Sequence, residues 1–212
     1  INAKSNSNEE TELNGQGPLI TAENIEELYA KLDVLGEGDT LVVSGSVPNT
    51  LPGNMYERIM ARLDGRGVRI VVDAERDLLT RVLPYKPFLV KPNNIELGDI
   101  YGVALKTRDE VVPYAKRMQE AGAQNVLVSM AGEGGVLVAA DGQVFQSPAA
   151  KGTVVNSVGA GDSSVAGFLA GLMETGSYET AFRMALASGS ASAFSDHLAT
   201  RPEVEALMAG SR

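Results

Sequence analysis

The sequence has no cysteine and a single histidine, His197, in 212 residues. Disulfides, thiolate-bound zinc, iron–sulfur clusters and cysteine nucleophiles are excluded, and so are multi-histidine metal sites. A Ser–His–Asp triad would have only His197 to draw on. No apolar run is long enough to cross a bilayer. Basic charge is also short: the net charge is -9, which argues against a general nucleic-acid-binding surface. A local anion site remains open, because helix N-termini and a few lysines bind phosphate even on an acidic protein. If the chain is an enzyme, aspartate, glutamate, lysine and backbone amides must carry most of its chemistry. Residues 1–6 hold no apolar stretch of the kind a signal peptide needs, and the first residue is not Met. The expectation is a soluble, cytoplasmic piece of a longer chain, with no membrane or nucleic-acid partner. Its length suits one domain with a sizeable core, or one domain with an appendage.

Along the chain, apolar strands alternate with amphipathic helices. Residues 1–17 are polar and read as irregular structure or an edge strand, then a turn. Thr21 is a candidate N-cap for a helix whose Ile25, Leu28, Leu32 and Leu35 share a face. Residues 40–44 read as a short buried strand. Met55, Ile59 and Leu63 mark a second helix, ended by Gly65 and Gly67. Strands are expected over 68–73, 88–91 and 124–130. Thr107 and Glu110 form a capping box before a helix carrying Val111, Ala115 and Met118; Pro113 should kink that helix or delay its start. Asp141-Gly142 supplies the turn of a hairpin over 136–146. Small-residue-rich helices are expected over about 162–173 and 178–194. Thr200 and Glu203 cap a last helix. This alternation implies a mainly parallel sheet covered on both faces, with an antiparallel portion from the hairpin, and ligands beyond the carboxyl ends of the strands.

Asn156-Ser157-Val158-Gly159-Ala160-Gly161-Asp162-Ser163 is the segment richest in chemistry, read as joining a strand near 151–155 to a helix. Gly159 and Gly161 allow close backbone approach, and Ala160 is too small to block it. Amides at the helix N-terminus would form an anion hole reinforced by the helix dipole. Asp162, in the first turn, could accept the proton of an attacking hydroxyl while the amides hold charge on a transferring phosphoryl group. From spacing alone the segment reads equally well as a tight turn with an acidic first helical turn. No G-x-x-x-x-G-K-[ST] is present, and the glycine cluster comes too late for a dinucleotide fold.

Residues 156–162 resemble the C-terminal Asp-Thr-x-Gly-Ala-Gly-Asp signature of the PfkB (ribokinase-like) carbohydrate kinases. Ser44-Gly45-Ser46-Val47-Pro48 resembles the family's sugar-side loop, and Lys91-Pro92-Asn93-Asn94-Ile95-Glu96-Leu97 its Asn-x-x-Glu motif. Ser129-Met130-Ala131-Gly132-Glu133-Gly134-Gly135 resembles its nucleotide loop, and residues 10–18 also agree. These segments fall in family order over essentially the whole chain. The resemblance implies a ribokinase-like three-layer α/β/α fold with a mainly parallel central sheet. It also implies ATP and Mg2+ as cofactors and a sugar phosphate as the other small-molecule partner. The implied reaction is phosphorylation of a ketose phosphate, fructose 1-phosphate first, with tagatose 6-phosphate or a non-catalytic nucleotide or sugar binder as alternatives. It makes Asp162 the base, with Gly159, Ala160 and Gly161 lining the anion hole. Lys91, Gly161 and residues Ser129, Ala131, Gly132, Glu133, Gly134 and Gly135 would meet the nucleotide. Asn93 and Glu96 would hold magnesium through water, although locally they also read as an N-cap pair.

The match departs from the family in two places. Asn156 stands where the signature begins with an acid, so a monovalent-cation role is not carried over. Family chains open with a strand, a Gly-Gly-Lys-Gly sugar loop and part of a β lid, and none precedes Ile1. Residues 1–18 are therefore expected to be a remnant of lid or edge strand. Residues 19–212 are expected to be an N-terminally truncated nucleotide-binding and catalytic domain, weak in activity by itself. A homodimer through the lid is a further expectation. Asp73, at a strand's carboxyl end, reads equally as a loop-capping residue and is left out of the site, as is His197.

Overall fold

The computed structural model describes residues 2–4, 10–12 and 18–210. Strands β1 (Asn2–Lys4) and β2 (Glu10–Glu12) pair antiparallel, Asn2 opposite Glu12, in a small sheet of their own. The turn expected after them falls on residues 13–17, outside the described residues. The main sheet runs in the order β3 (Thr40–Ser44), β4 (Arg69–Asp73), β5 (Leu89–Val90), β6 (Asn125–Ser129), β7 (Gly135–Val138) and β8 (Val144–Ser147). The first four are parallel, and the last two add an antiparallel hairpin around Asp141-Gly142.

That order decides where the helices go. Each parallel strand lies beside its predecessor in the chain, so the sheet grows in one direction, and right-handed crossovers then put every connecting helix on the same face. Helices α1 (Ala22–Leu32), α2 (Met55–Leu63), α3 (Arg76–Val82), α4 (Asn94–Tyr101) and α5 (Arg108–Glu120) precede or link these strands. The core they help bury joins Val72, Val90, Val126 and Val128 of the sheet to Ile59, Leu63, Val111 and Met118. The opposite face carries the alternate residues, Val71, Leu89, Leu127 and Leu137. It is covered by Val165 and Phe168 of α6 (Ala160–Thr175) and Phe182 of α7 (Tyr178–Ala193). The strands are apolar on both sides because the sheet is sandwiched between two helical layers. The last helix, α8 (Arg201–Gly210), adds Val204 to a small cluster with Ala187 and Ala191 of α7. Among the described residues no helix is long and apolar enough to cross a membrane.

Local signals set several boundaries as expected. Thr21 accepts from the Asn24 amide to start α1, and Thr107 from the Glu110 amide to start α5. Two expectations differ, and a third, for Pro113, loses one of its two alternatives. Strand β3 is not buried: it is first in the sheet order, and Val42 remains 44% exposed. Pro113 does not delay α5, because the capping box at Thr107 sets the start ahead of it. The backbone bond lost is the one the Asp109 carbonyl would have accepted. Residues 148–155 form no strand; the Val155 and Asn156 amides instead donate to the Ala193 carbonyl, at 2.8 and 3.1 Å.

One buried polar side chain ties this sheet together. Asn125, fully buried at the start of β6, donates from Nδ2 to the Phe88 carbonyl at 2.8 Å and accepts the Ala140 amide at 2.8 Å. It thus fixes the entry to β5 and the tip of the β7–β8 hairpin at once. Asn125→Ala removes both side-chain bonds but leaves the Phe88 carbonyl its bond from the residue 125 amide, at 3.1 Å, and the Ala140 amide at an exposed position, so it is expected to lower stability by about 1 kcal/mol, read as a fall in the denaturant midpoint. An unchanged midpoint would show that neither bond matters to the fold.

Candidate active site

The four parallel strands end on one edge of the sheet, which brings Ser44, Asp73, Lys91 and Ser129 to the same side. An open cleft of about 890 Å3 lies there, lined among others by Ser44, Asp73, Glu96, Gly159, Gly161 and Asp162. Helix α6 starts at this cleft from Gly159, whose φ of 78° is left-handed and unfavourable for any residue with a Cβ. A Cβ at that position would also lie 2.4 Å from Leu198.

No side chain caps α6. The Ala160 amide is taken by the Ser157 carbonyl at 3.2 Å, so it does not belong to the anion hole as expected. The Gly161 and Asp162 amides have no partner among the described residues. They are the open donors at this helix start, with the positive end of the helix dipole behind them. Asp162 is exposed in the cleft, and its Oδ1 accepts from Ser44 Oγ at 3.2 Å.

The first turn of α6 is held from behind. Ser163 Oγ lies 2.7 Å from Ser192 Oγ of α7, and Ser164 Oγ donates to the Ala160 carbonyl. A Cβ on Gly189 would lie 2.3 Å from Ser164 Oγ, and one on Gly167 2.5 Å from the Met184 carbonyl. The small residues of α6 and α7 therefore serve close helix packing.

Beneath this turn, Lys91 and Asp73 form an ion pair, Nζ to Oδ1 3.1 Å, with side chains only 7% and 18% exposed. A Cβ added to Gly161 would sit 3.1 Å from Lys91 Nζ, which places the ammonium against the first turn of α6. Burial pushes the Asp73 carboxyl above its ordinary value against the pull of Lys91, and the nearby Asp162 charge adds to the rise. Asp73 was not legible as a site residue. Its signal, an acid at a strand's carboxyl end, does not separate a loop cap from a cleft residue.

Asn93 and Glu96 do form a capping box at the start of α4. Asn93 Oδ1 accepts from the Ile95 and Glu96 amides at 2.9 and 2.8 Å, and Glu96 Oε2 accepts from the Asn93 amide at 2.7 Å. Asn93 also bridges to Ser129 at the end of β6. From there Ala131–Glu133 make an exposed 3-10 turn, anchored where Arg108 of α5 donates to the Glu133 carbonyl. Gly134 has φ 85°, and a Cβ on it would lie 2.0 Å from the Ser147 carbonyl; one on Gly135 would lie 2.8 Å from that of Val128. Packing against β6 and the end of β8 therefore accounts for both glycines. None of residues 129–135 lines the cleft around Asp162. Ser129 is three strands from Ser44, about 14 Å at a spacing of ~4.8 Å per strand. That distance is comparable to the length of an extended nucleoside triphosphate.

Residues 2–203 match the model of the pfkB family of carbohydrate kinases. The chain belongs to that family. It is 44% identical to the 1-phosphofructokinase of Bacillus subtilis, over 98% of this chain and 68% of the relative. It is 34% identical to the D-tagatose-1-phosphate kinase of Bacillus licheniformis, over 93% of this chain and 65% of the relative. The chain thus spans about two thirds of the length of these curated relatives. Phosphofructokinase-2 from Escherichia coli, solved with substrates and products, superposes at a TM-score of 0.86 with 28% identity, over 97% of this chain and 68% of that one. An Arabidopsis thaliana ribokinase complexed with ribose and ATP shares the fold, at a TM-score of 0.69 with 20% identity, over 90% of this chain and 60% of that one. In this PfkB chain Asn156 stands at the first signature position, where its Oδ1 accepts the Val158 amide at 3.2 Å and shapes the turn into α6.

Burial raises the Glu96 carboxyl above its ordinary 4.5, more than its bond from the Asn93 amide and the charge of Lys91 lower it. The native state then holds this proton more tightly than the unfolded chain does. Glu96 therefore contributes stability at acid pH that is lost as pH rises through the window just above 4.5. Glu96→Gln removes that loss, so the stability of the variant relative to wild type is expected to climb between pH 4 and pH 7. Urea midpoints measure it, and a difference that stays flat would show Glu96 to be well solvated.

Proposed function

We propose that this chain is the nucleotide-binding and catalytic part of an ATP-dependent kinase that converts fructose 1-phosphate to fructose 1,6-bisphosphate. The observation that carries the reading is Asp162, open to the cleft beside the unpartnered amides of the first turn of α6. The C6 hydroxyl of the sugar attacks the γ-phosphorus, Asp162 takes the hydroxyl proton, and ADP leaves on the opposite side. The Gly161 and Asp162 amides meet the oxygens of the transferring group, where fixed dipoles stabilise developing charge. Residues 129–135 would take the nucleotide end of ATP, three strands away from the base. The hydrogen bond from Ser44 orients Asp162 before the sugar arrives.

Magnesium fits one of its two expected residues. Asn93 Oδ1 already accepts two amides, and its Nδ2 is a donor that cannot bind a cation. Glu96 uses only Oε2 in the cap and lines the cleft, so its second oxygen could hold a magnesium-bound water. Among the described residues no group of three or more acid, histidine or cysteine side chains is arranged to hold a metal. Phosphate oxygens and water would therefore supply most ligands, as magnesium prefers. The ion would neutralise the phosphates that Asp162 must approach. We read residues 19–212 as the catalytic domain and the β1–β2 pair as part of a lid, through which a second copy would dock.

The test uses the full-length protein and ADP release dependent on sugar phosphate. Asp162→Asn is expected to lower kcat by roughly 100-fold or more, with the KM for ATP little changed. Near-normal turnover would overturn the base assignment. Rates with fructose 1-phosphate, tagatose 1-phosphate and tagatose 6-phosphate, measured side by side, decide the acceptor. ADP release that no sugar phosphate stimulates would favour a non-catalytic binder.

A further inference from the structure

We propose that Asp73 is a positioning residue for phosphoryl transfer: it holds the Lys91 ammonium on the floor of the anion hole, under Gly161 and away from the base. The proposal rests on the kinase reading of the same cleft. Lys91 leaves the end of β5 with its ammonium almost wholly out of water, and a lysine stem has four rotatable bonds to direct it. Five carboxylates line the cleft around that charge, those of Asp73, Glu75, Asp77, Glu96 and Asp162. Among the described residues only Asp73 lies in contact with it, at 3.1 Å. Asp73 ends β4, the strand paired beside β5, and the Lys91 amide donates to the Val72 carbonyl just before it. The sheet thus sets the two side chains together without help from any helix.

The position has a chemical consequence. An ammonium held beneath Gly161 faces the space where the transferring phosphoryl oxygens would sit, and works with the two open amides. Paired to Asp162 instead, the same ammonium would make the base less basic and block its approach to a hydroxyl. Burial with a single partner also means that removing Asp73 leaves the charge uncompensated, so Lys91 is expected to turn to Asp162 or Glu96.

A double-mutant cycle in the full-length protein tests this, with kcat and the KM for ATP read separately. Asp73→Asn is expected to lower kcat at least 10-fold in the wild-type background and less than 2-fold in a Lys91→Met background. Equal losses in the two backgrounds would overturn the proposal, because Asp73 would then act independently of Lys91. Asp73→Asn leaves a buried unpaired charge and could fail to fold, so Asp73→Glu serves as the second variant. It keeps the charge but lengthens the arm by one methylene, and should fold, keep the KM for ATP and lose kcat several-fold. Wild-type kcat in Asp73→Glu would overturn the positional claim. An inactive Asp162→Asn together with additive Asp73 and Lys91 effects removes this inference alone. A wild-type protein without turnover removes the kinase reading and this inference with it.

Discussion

Helix α6 has to begin with no side-chain cap and two bare amides, and the surrounding structure is arranged to let it. Such a start is unfavourable in isolation, because first-turn N–H groups normally find a capping oxygen. Here Gly159 turns the chain in a left-handed conformation that spares the Gly161 and Asp162 amides any partner. The contact of Ser163 with Ser192 of α7 and the bond from Ser164 back to the Ala160 carbonyl hold the first turn, so the open end does not need to hold itself. The glycines of α6 and α7 bring the two helices close enough for that support.

Charge at the site follows from the same geometry. The chain is acidic overall, and the cleft carries several carboxylates, which is a poor setting for a polyphosphate. The local field is nevertheless favourable at one point, where the N-terminus of α6 and the buried ammonium of Lys91 meet at Gly161. Net charge therefore governs repulsion at long range, while the local potential at this point is set within a few ångströms by amides and one lysine.

Much of the fold was legible because its signals are local. The Thr21 and Thr107 caps, the helical spacing of Val111, Ala115 and Met118, and the Asp-Gly turn each need only neighbouring residues to interpret. The layered sheet was legible from strands whose central residues are apolar on both faces. What could not be read depends on partners distant in sequence. Leu41-Val42-Val43 has the pattern of a buried strand, yet burial depends on what lies beside it, and β3 has one neighbour. Residues 151–155 have strand-like valines, but the carbonyl that takes the Val155 amide is on Ala193. At the site, the cluster at 156–163 stood out, whereas the pairing of Lys91 with Asp73 is made by strand register alone. The glycines at 134 and 135 suggested a ligand, and the structure shows that neighbouring backbone already requires them.

Glu96 shows why a structural reading and a functional reading of one residue need not compete. Its carboxylate has two oxygens, and the cap of α4 uses one. The capping bond fixes the rotamer, and a fixed rotamer is what a second-sphere ligand of a hydrated ion requires, since a mobile carboxylate would spend much of its time away from the water it must hold. Asn93 has no such division of labour, because its single acceptor oxygen is already shared by two amides. The Asn-x-x-Glu spacing thus builds the helix start first, and the part of it left over after capping is what the cleft can use.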